Sequence, residues 1–161
     1  MRNLALLSIA VIAIVFTQTS IAEESEALVD ATDPEGLVSV FQDLGYRAKL
    51  DVDSAGDPII YSSVGGTDYA LQFFGCSKET NDQCTLLLFK VGYDLTDGTT
   101  IETVNTWNHD NVVGQAHLDD ENDPWLSWAV NMHGGVSREN FDDSIDWWEV
   151  IVSDFESHID Y

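Results

Sequence analysis

The sequence predicts an α+β fold, with a mostly antiparallel sheet and N-terminal, middle and C-terminal helices packed on it. Three observations lead there. The apolar pattern runs helix, four strands, helix, two strands, helix. The strands are joined by short, turn-rich stretches, which suit hairpins and not the long crossovers of a parallel sheet. The last helix carries Phe141, Ile145, Trp148, Val152, Phe155 and Ile159 at spacings of four and three, a stripe that must bury against the sheet.

Residues 1–22 stand apart from this domain. Arg2 gives a positive start, Leu4 to Phe16 is almost wholly apolar, and Ser20 and Ala22 put small residues where a signal peptidase reads. This is the pattern of a secretory signal peptide. The apolar run falls short of the about 20 residues that cross a bilayer. Cleavage after Ala22 is expected, with no membrane attachment afterwards and a periplasmic or secreted product. Residues 23–32, "EESEALVDAT", read as an acidic, flexible lead-in. Residues 33–161 are expected to form one domain.

Asp33 and Pro34 open the first helix as cap and first turn. Leu37, Val40, Phe41 and Leu44 give its apolar stripe, and Gly45 ends it. "YRAKLDVD" and "IIYSSV" follow as strands around the turn "SAGDP". "YALQFF" and "CTLLLFKVGY" are the next two, and the second is apolar enough to sit centrally in the sheet. Thr99 and Glu102 have capping-box spacing for the middle helix. Ile101, Val104 and Trp107 are its expected apolar contacts. "GQAHLDD" and "PWLSWAVNM" form a hairpin around "DENDP". Gly134 and Gly135 stop the second of these strands, and Ser137 caps the last helix.

The charge narrows the function. The full chain has a formal net charge of −23, with six Lys and Arg against 29 Asp and Glu. Nucleic acid and anionic membranes would both repel it. The acids are spread along the chain, as solubility in a salty environment would require. Cys76 and Cys84 flank a polar, turn-prone loop, "SKETNDQ", between two strand-like runs. In an oxidising compartment a disulfide closing this hairpin is expected. Its loop-entropy contribution is roughly 2–3 kcal/mol. The spacing is not a redox one, and no His or further Cys lies close by for zinc.

Catalytic motifs are missing. There is no G-x-S-x-G, P-loop, dinucleotide fingerprint or H-E-x-x-H, and "HGG" at 133–135 is explained by a two-glycine turn. No catalytic residue, cofactor or metal is assigned. Two acidic turns merit attention. "DVDSAGD" (51–57) resembles the start of a calcium loop, but Ala55 and Ser62 stand where ligands belong. His117 and Asp119 share a strand face, yet two ligands do not make a site. Of the tryptophans, Trp148 belongs to the buried stripe and Trp147 must point elsewhere. Trp125 and Trp128, three apart on a strand, face opposite sides.

The stretch "VNTWNHDN" (104–111) concentrates polar groups. At helical spacing Asn105 and Asn108 border the apolar stripe, where each amide needs partners or costs roughly 1–3 kcal/mol. A structural hydrogen-bond network is the expected reading. His109 and Asp110 fall at the fraying end and are expected to be solvated.

In their order, "YALQFFGC", the apolar strand after a second Cys, "VNTWN", Gly134-Gly135-Val136 and a Trp/Phe-bearing last helix resemble the YbjN-domain family of putative bacterial sensory transduction regulators. The resemblance covers about residues 33–160. It implies a fold like that of type III secretion chaperones, whose relatives often dimerise, with no enzymatic activity and no cofactor. Asn105, Trp107, Asn108, Gly134 and Gly135 match the family pattern as fold-defining positions. The leader and the disulfide are similar to an exported branch of the family. The expectation is therefore an exported, non-enzymatic interaction module, regulatory or chaperone-like, with an unidentified protein partner and a homodimer as one form. The alternatives are a small-ligand or divalent-metal protein using the acidic turns, and last a hydrolase built on His109, His117 and His133.

Overall fold

The computed structural model describes residues 28–161. The expected signal peptide and the first part of the acidic lead-in lie outside the described residues. The element order is the one the apolar pattern predicts: α1 (Pro34–Asp43), β1 (Ala48–Val52), β2 (Pro58–Val64), β3 (Thr67–Phe74), β4 (Leu86–Gly92), α2 (Ile101–Asp110), β5 (Gln115–Leu118), β6 (Pro124–Asn131) and α3 (Arg138–His158). The six strands form one antiparallel sheet in the order β1-β2-β3-β4-β6-β5. The run 84–93 yields β4 only from Leu86, and β4 is internal. β6 crosses over to pair with it, which leaves the short β5 at the edge.

All three helices share one layer. Phe41 of α1 meets Phe141 of α3 edge-on, and Trp107 of α2 meets Phe155 of α3 in the same way. Beneath them lies one set of alternating strand residues, as a half-covered sheet requires. Leu71 pairs across with Ile60 and Phe89, and Phe89 with Trp128. Trp148 packs on Tyr69 and Phe89 at centroid distances of 5.6 and 5.5 Å. The whole predicted stripe of α3, Phe141 through Ile159, is buried. Ser137 caps α3 by accepting from the Asn140 amide at 3.1 Å.

Several local expectations are corrected. The lead-in does not stay free up to residue 32. Val29 exchanges both backbone hydrogen bonds with Val136 at 2.8 and 2.9 Å, and Ala31 is fully buried. Gly135 admits this pairing, because a Cβ there would lie 2.8 Å from Leu28 Cβ. The cap of α2 is Thr100, not Thr99: its side chain accepts from the Thr103 amide. Ile101 is 63% exposed, so Val104 and Trp107 alone carry the apolar contact. Leu44, the C-cap of α1, lies at an exposed border of the core.

Candidate functional site

The motif residues Trp107 and Asn108 on α2 make structural contacts. Trp107 is buried, and its Nε1 donates to Gly114 O at 2.6 Å. Gly114 has φ +77°, and a Cβ there would come within 2.5 Å of Ile151. Asn108 Nδ2 donates to Ala116 O at 3.0 Å, and its Oδ1 accepts from Ala116 N at 2.8 Å. One carboxamide thus satisfies both polar groups of an edge-strand residue, much as a neighbouring strand would. Asn105 departs from the expected network: it is exposed, and its side chain has no hydrogen bond among the described residues. His109 and Asp110 are exposed at the helix end, with His109 Nε2 4.0 Å from Asp110 Oδ1.

The acidic turns use their carboxylates on themselves. Asp53 Oδ1 accepts from the amides of Ala55 and Asp57 at 2.8 and 2.9 Å. Asp119 Oδ1 accepts from Glu121 and Asp123 at 2.9 and 3.0 Å. In each turn the residue three on has positive φ, Gly56 in one and Asn122 in the other. A proline follows each second Asp, so Asp53–Pro58 and Asp119–Pro124 are one hairpin device used twice, a recurrence that the sequence carries at equal offsets. Among the described residues no three His, Cys, Asp or Glu side chains are placed to share a metal ion. His109, His117 and His133 share no hydrogen bond or ion pair there, so the hydrolase constellation does not assemble. Nothing in this geometry supports a small-ligand or metal role for the turns.

Cys76 and Cys84 are joined by a disulfide. The loop it closes leans on the β1–β2 turn, where Asn81 Nδ2 donates to Ala55 O at 3.1 Å. Asn81 and Gln83 both take positive φ. A Cβ on Gly56 would collide with the Asn81 amide.

The functional candidate lies on the other side of the sheet. Among the described residues no helix packs there. The outward side chains align in register, with Lys49, Tyr61, Ala70 and Lys90 forming one row across β1 to β4. An adjacent row places Trp125 between Gly92 and His117. The two rows border an open cleft of about 650 Å³. Its floor is low at Ala70, which has little side chain, between the taller Tyr61 and the ring of Trp125.

Trp125 is held in place from several sides. Its ring lies over Gly92, where a Cβ would sit 2.8 Å from three ring carbons. Its Nε1 donates to Asp119 Oδ2 at 3.0 Å. His117 lies nearly parallel to it, with centroids 6.5 Å apart at 19°. Lys90 Nζ stands 4.6 Å from the ring centroid, within cation–π range. These contacts also move the titrating groups. The hydrogen bond from Trp125, then that from the Asp123 amide, holds the Asp119 carboxyl below its usual range. Burial, then the charge of Lys90, lowers the His117 imidazole, and Asp119 opposes this.

The rim gathers cations that the chain has in short supply. Arg47, Lys49 and Lys90, three of the six Lys and Arg, all line it. Arg47 pairs with Asp68 at 3.1 Å and Lys49 with Asp51 at 3.0 Å. Lys90 has no carboxylate partner among the described residues. Alternation along β6 puts Trp125 on the open face. It does not reveal that Trp125, Lys90 and Tyr61 meet, because that depends on the register of four strands.

The family described as "Putative bacterial sensory transduction regulator" matches residues 33–160. Among solved structures, the chain is similar to the crystal structure of YbjN from E. coli, described there as a putative transcription regulator. The two are 18% identical with a TM-score of 0.58, over 83% of this chain and 92% of that chain. Among curated proteins nothing matches. At that identity the likeness speaks for the fold, and the family match speaks for descent. The chain belongs to the YbjN family.

Proposed function

We propose that this protein is a non-enzymatic interaction module of the regulatory kind, exported from the cytoplasm, which binds a protein partner on the open face of its sheet. The observation that carries this reading is the asymmetry of the sheet. One face is sealed by three helices. The other bears a cleft with a braced tryptophan, a 48% exposed tyrosine and an unpaired lysine. Aromatic residues fixed at the border of a groove give binding energy at little entropic cost, and the energy of an interface concentrates in such anchors. The leader-like N-terminus and the disulfide support export. The family's description as a regulator supports a role through binding.

The test is a pair of surface variants. Tyr61→Ala and Trp125→Ala should leave the thermal midpoint within a few degrees of the parent. Both should lose the partner that the parent retains from the native envelope fraction. Retention of the same partner at parental level by both variants would end the reading.

A further inference from the structure

The next question is what the cleft accepts. Three features constrain the answer, and they deepen the interaction reading above, on which they rest. The cleft is open, so an extended segment fits it better than a small molecule that needs enclosure. Its floor at Ala70 is apolar and low, with Tyr61 on one side and, on the other, the Trp125 ring that lies over Gly92. That leaves room for one apolar side chain between two aromatic borders.

Charge is the third feature. In a chain with 29 carboxylates, a lysine on a sheet face would be expected to find one. Arg47 and Lys49 have theirs. Lys90 instead stands over the Trp125 ring. Asp119, beside that ring, is committed to the indole and to its own turn, and Asp68, the acid that lines the cleft with Lys90, is paired with Arg47. His117, which also faces Trp125, is biased towards its neutral form. The ammonium therefore faces the cleft without an ion-pair partner among the described residues. Lys49, in the same row on the far border, is three strand spacings away, roughly 14 Å. A segment crossing the row would pass between Lys49, held by Asp51, and the unpaired Lys90.

We infer that the cleft binds an acidic peptide segment, with a carboxylate on Lys90 and a neighbouring apolar side chain on Ala70 between Tyr61 and Trp125. The protein's overall negative charge opposes an anionic partner at long range. At physiological salt that repulsion is screened beyond about 8 Å, so contact with Lys90 decides the outcome. The occupant is a partner's segment. A second copy of this chain is the competing occupant, and the test distinguishes it.

The test is selection from a random heptapeptide display library on the purified parent protein, on Lys90→Met and on Lys90→Arg. Lys78→Met, which changes a lysine in the disulfide loop, serves as control. The parent, Lys90→Arg and Lys78→Met should each enrich peptides with Asp or Glu beside Leu, Phe or Tyr. Lys90→Met should lose that enrichment at least tenfold while keeping its thermal midpoint. In the NMR spectrum the best peptide should shift the Trp125 indole and the Gly92 amide, and leave the Trp147 indole still. Enrichment of basic or uncharged peptides that still shift Trp125 would overturn the acidic specificity and leave the open-face reading standing. Peptides that shift only Trp147 and the helix layer would overturn both. If no peptide is selected, and the Trp125 and Gly92 signals instead broaden with protein concentration, the occupant is a second copy and the inference fails. If no peptide is selected and nothing broadens, it fails as well.

Discussion

Asn108 closes both of its hydrogen bonds on one residue, Ala116, accepting from its amide at 2.8 Å and donating to its carbonyl at 3.0 Å. β5 is only four residues long and lies at the sheet edge. A helix side chain here takes the place of the next strand. Asn108→Ala should therefore cost about 1–2 kcal/mol, since two backbone groups lose their partners. Asn105→Ala, from the same motif, should fall within about 0.5 kcal/mol of the parent. Denaturant melts of the two variants check this. Equal costs would contradict the division of roles.

Trp107 makes the second tie between α2 and the chain that follows. Trp107→Phe keeps the aromatic contact with Phe155 but strands the buried Gly114 carbonyl. A loss of about 1–3 kcal/mol follows. Gly114→Ala should cost at least as much, because it combines positive φ with a collision against Ile151. The same denaturant assay reads both.

Reducing the disulfide should act locally before it acts globally. Replacing both cysteines by serine removes roughly 2–3 kcal/mol in the loop-entropy estimate. The first visible change should be faster amide exchange at Ala55–Asp57, because Asn81 braces that turn only while its loop is closed. Hydrogen exchange under reducing and oxidising conditions measures it. Unchanged exchange at this turn would separate the disulfide from the β1–β2 hairpin.

The tyrosines set an alkaline limit. Burial first, then the hydrogen bond to Glu149, pushes Tyr46 up to about 12. Burial also raises Tyr69 and Tyr93. A folded-state value above the unfolded one means that the native state holds its protons longer. The stabilisation is full below about pH 10 and is lost as pH rises towards the folded values. Near-ultraviolet titration should show these three phenols resisting ionisation until the protein unfolds. Tyr46→Phe should remove its part of that pH dependence.

The acid side carries a gentler signature. His117 has a lowered folded value, so the unfolded chain binds its proton first as pH falls. Stability should be complete above the ordinary histidine range near 6.5 and decline as pH drops through it. His117→Gln should flatten that decline in melts between about pH 7 and 5.

Much of the fold was legible in the sequence because its signals are local. The α3 stripe, the alternation that separates Trp125 from Trp128, the Ser137 cap and the loop between Cys76 and Cys84 depend on residues within a few positions of one another. What failed was local too, by one residue. The cap falls one residue later than Thr99, and, separately, counting Ile101 in the apolar stripe drew Asn105 to its border; only Val104 and Trp107 face inward, so Ile101 and Asn105 fall on the solvent side. The cleft was not legible. Lys49, Tyr61, Ala70, Lys90 and Trp125 come from five strands, and β6 reaches β4 by a crossover that no spacing encodes. A signal was present nonetheless, in the outward-facing Ala70 and Gly92, whose small size lets an aromatic ring lie down.

The central claim is that the open face, and not the helix layer, receives the partner. Photocrosslinking tests it, with a photoreactive residue placed at Ser127, beside Lys90 in the same outward row, or at Trp147 on the outer side of α3. A specific adduct is expected from position 127 that Lys90→Met abolishes, and none from position 147. A specific adduct from position 147 alone would contradict it.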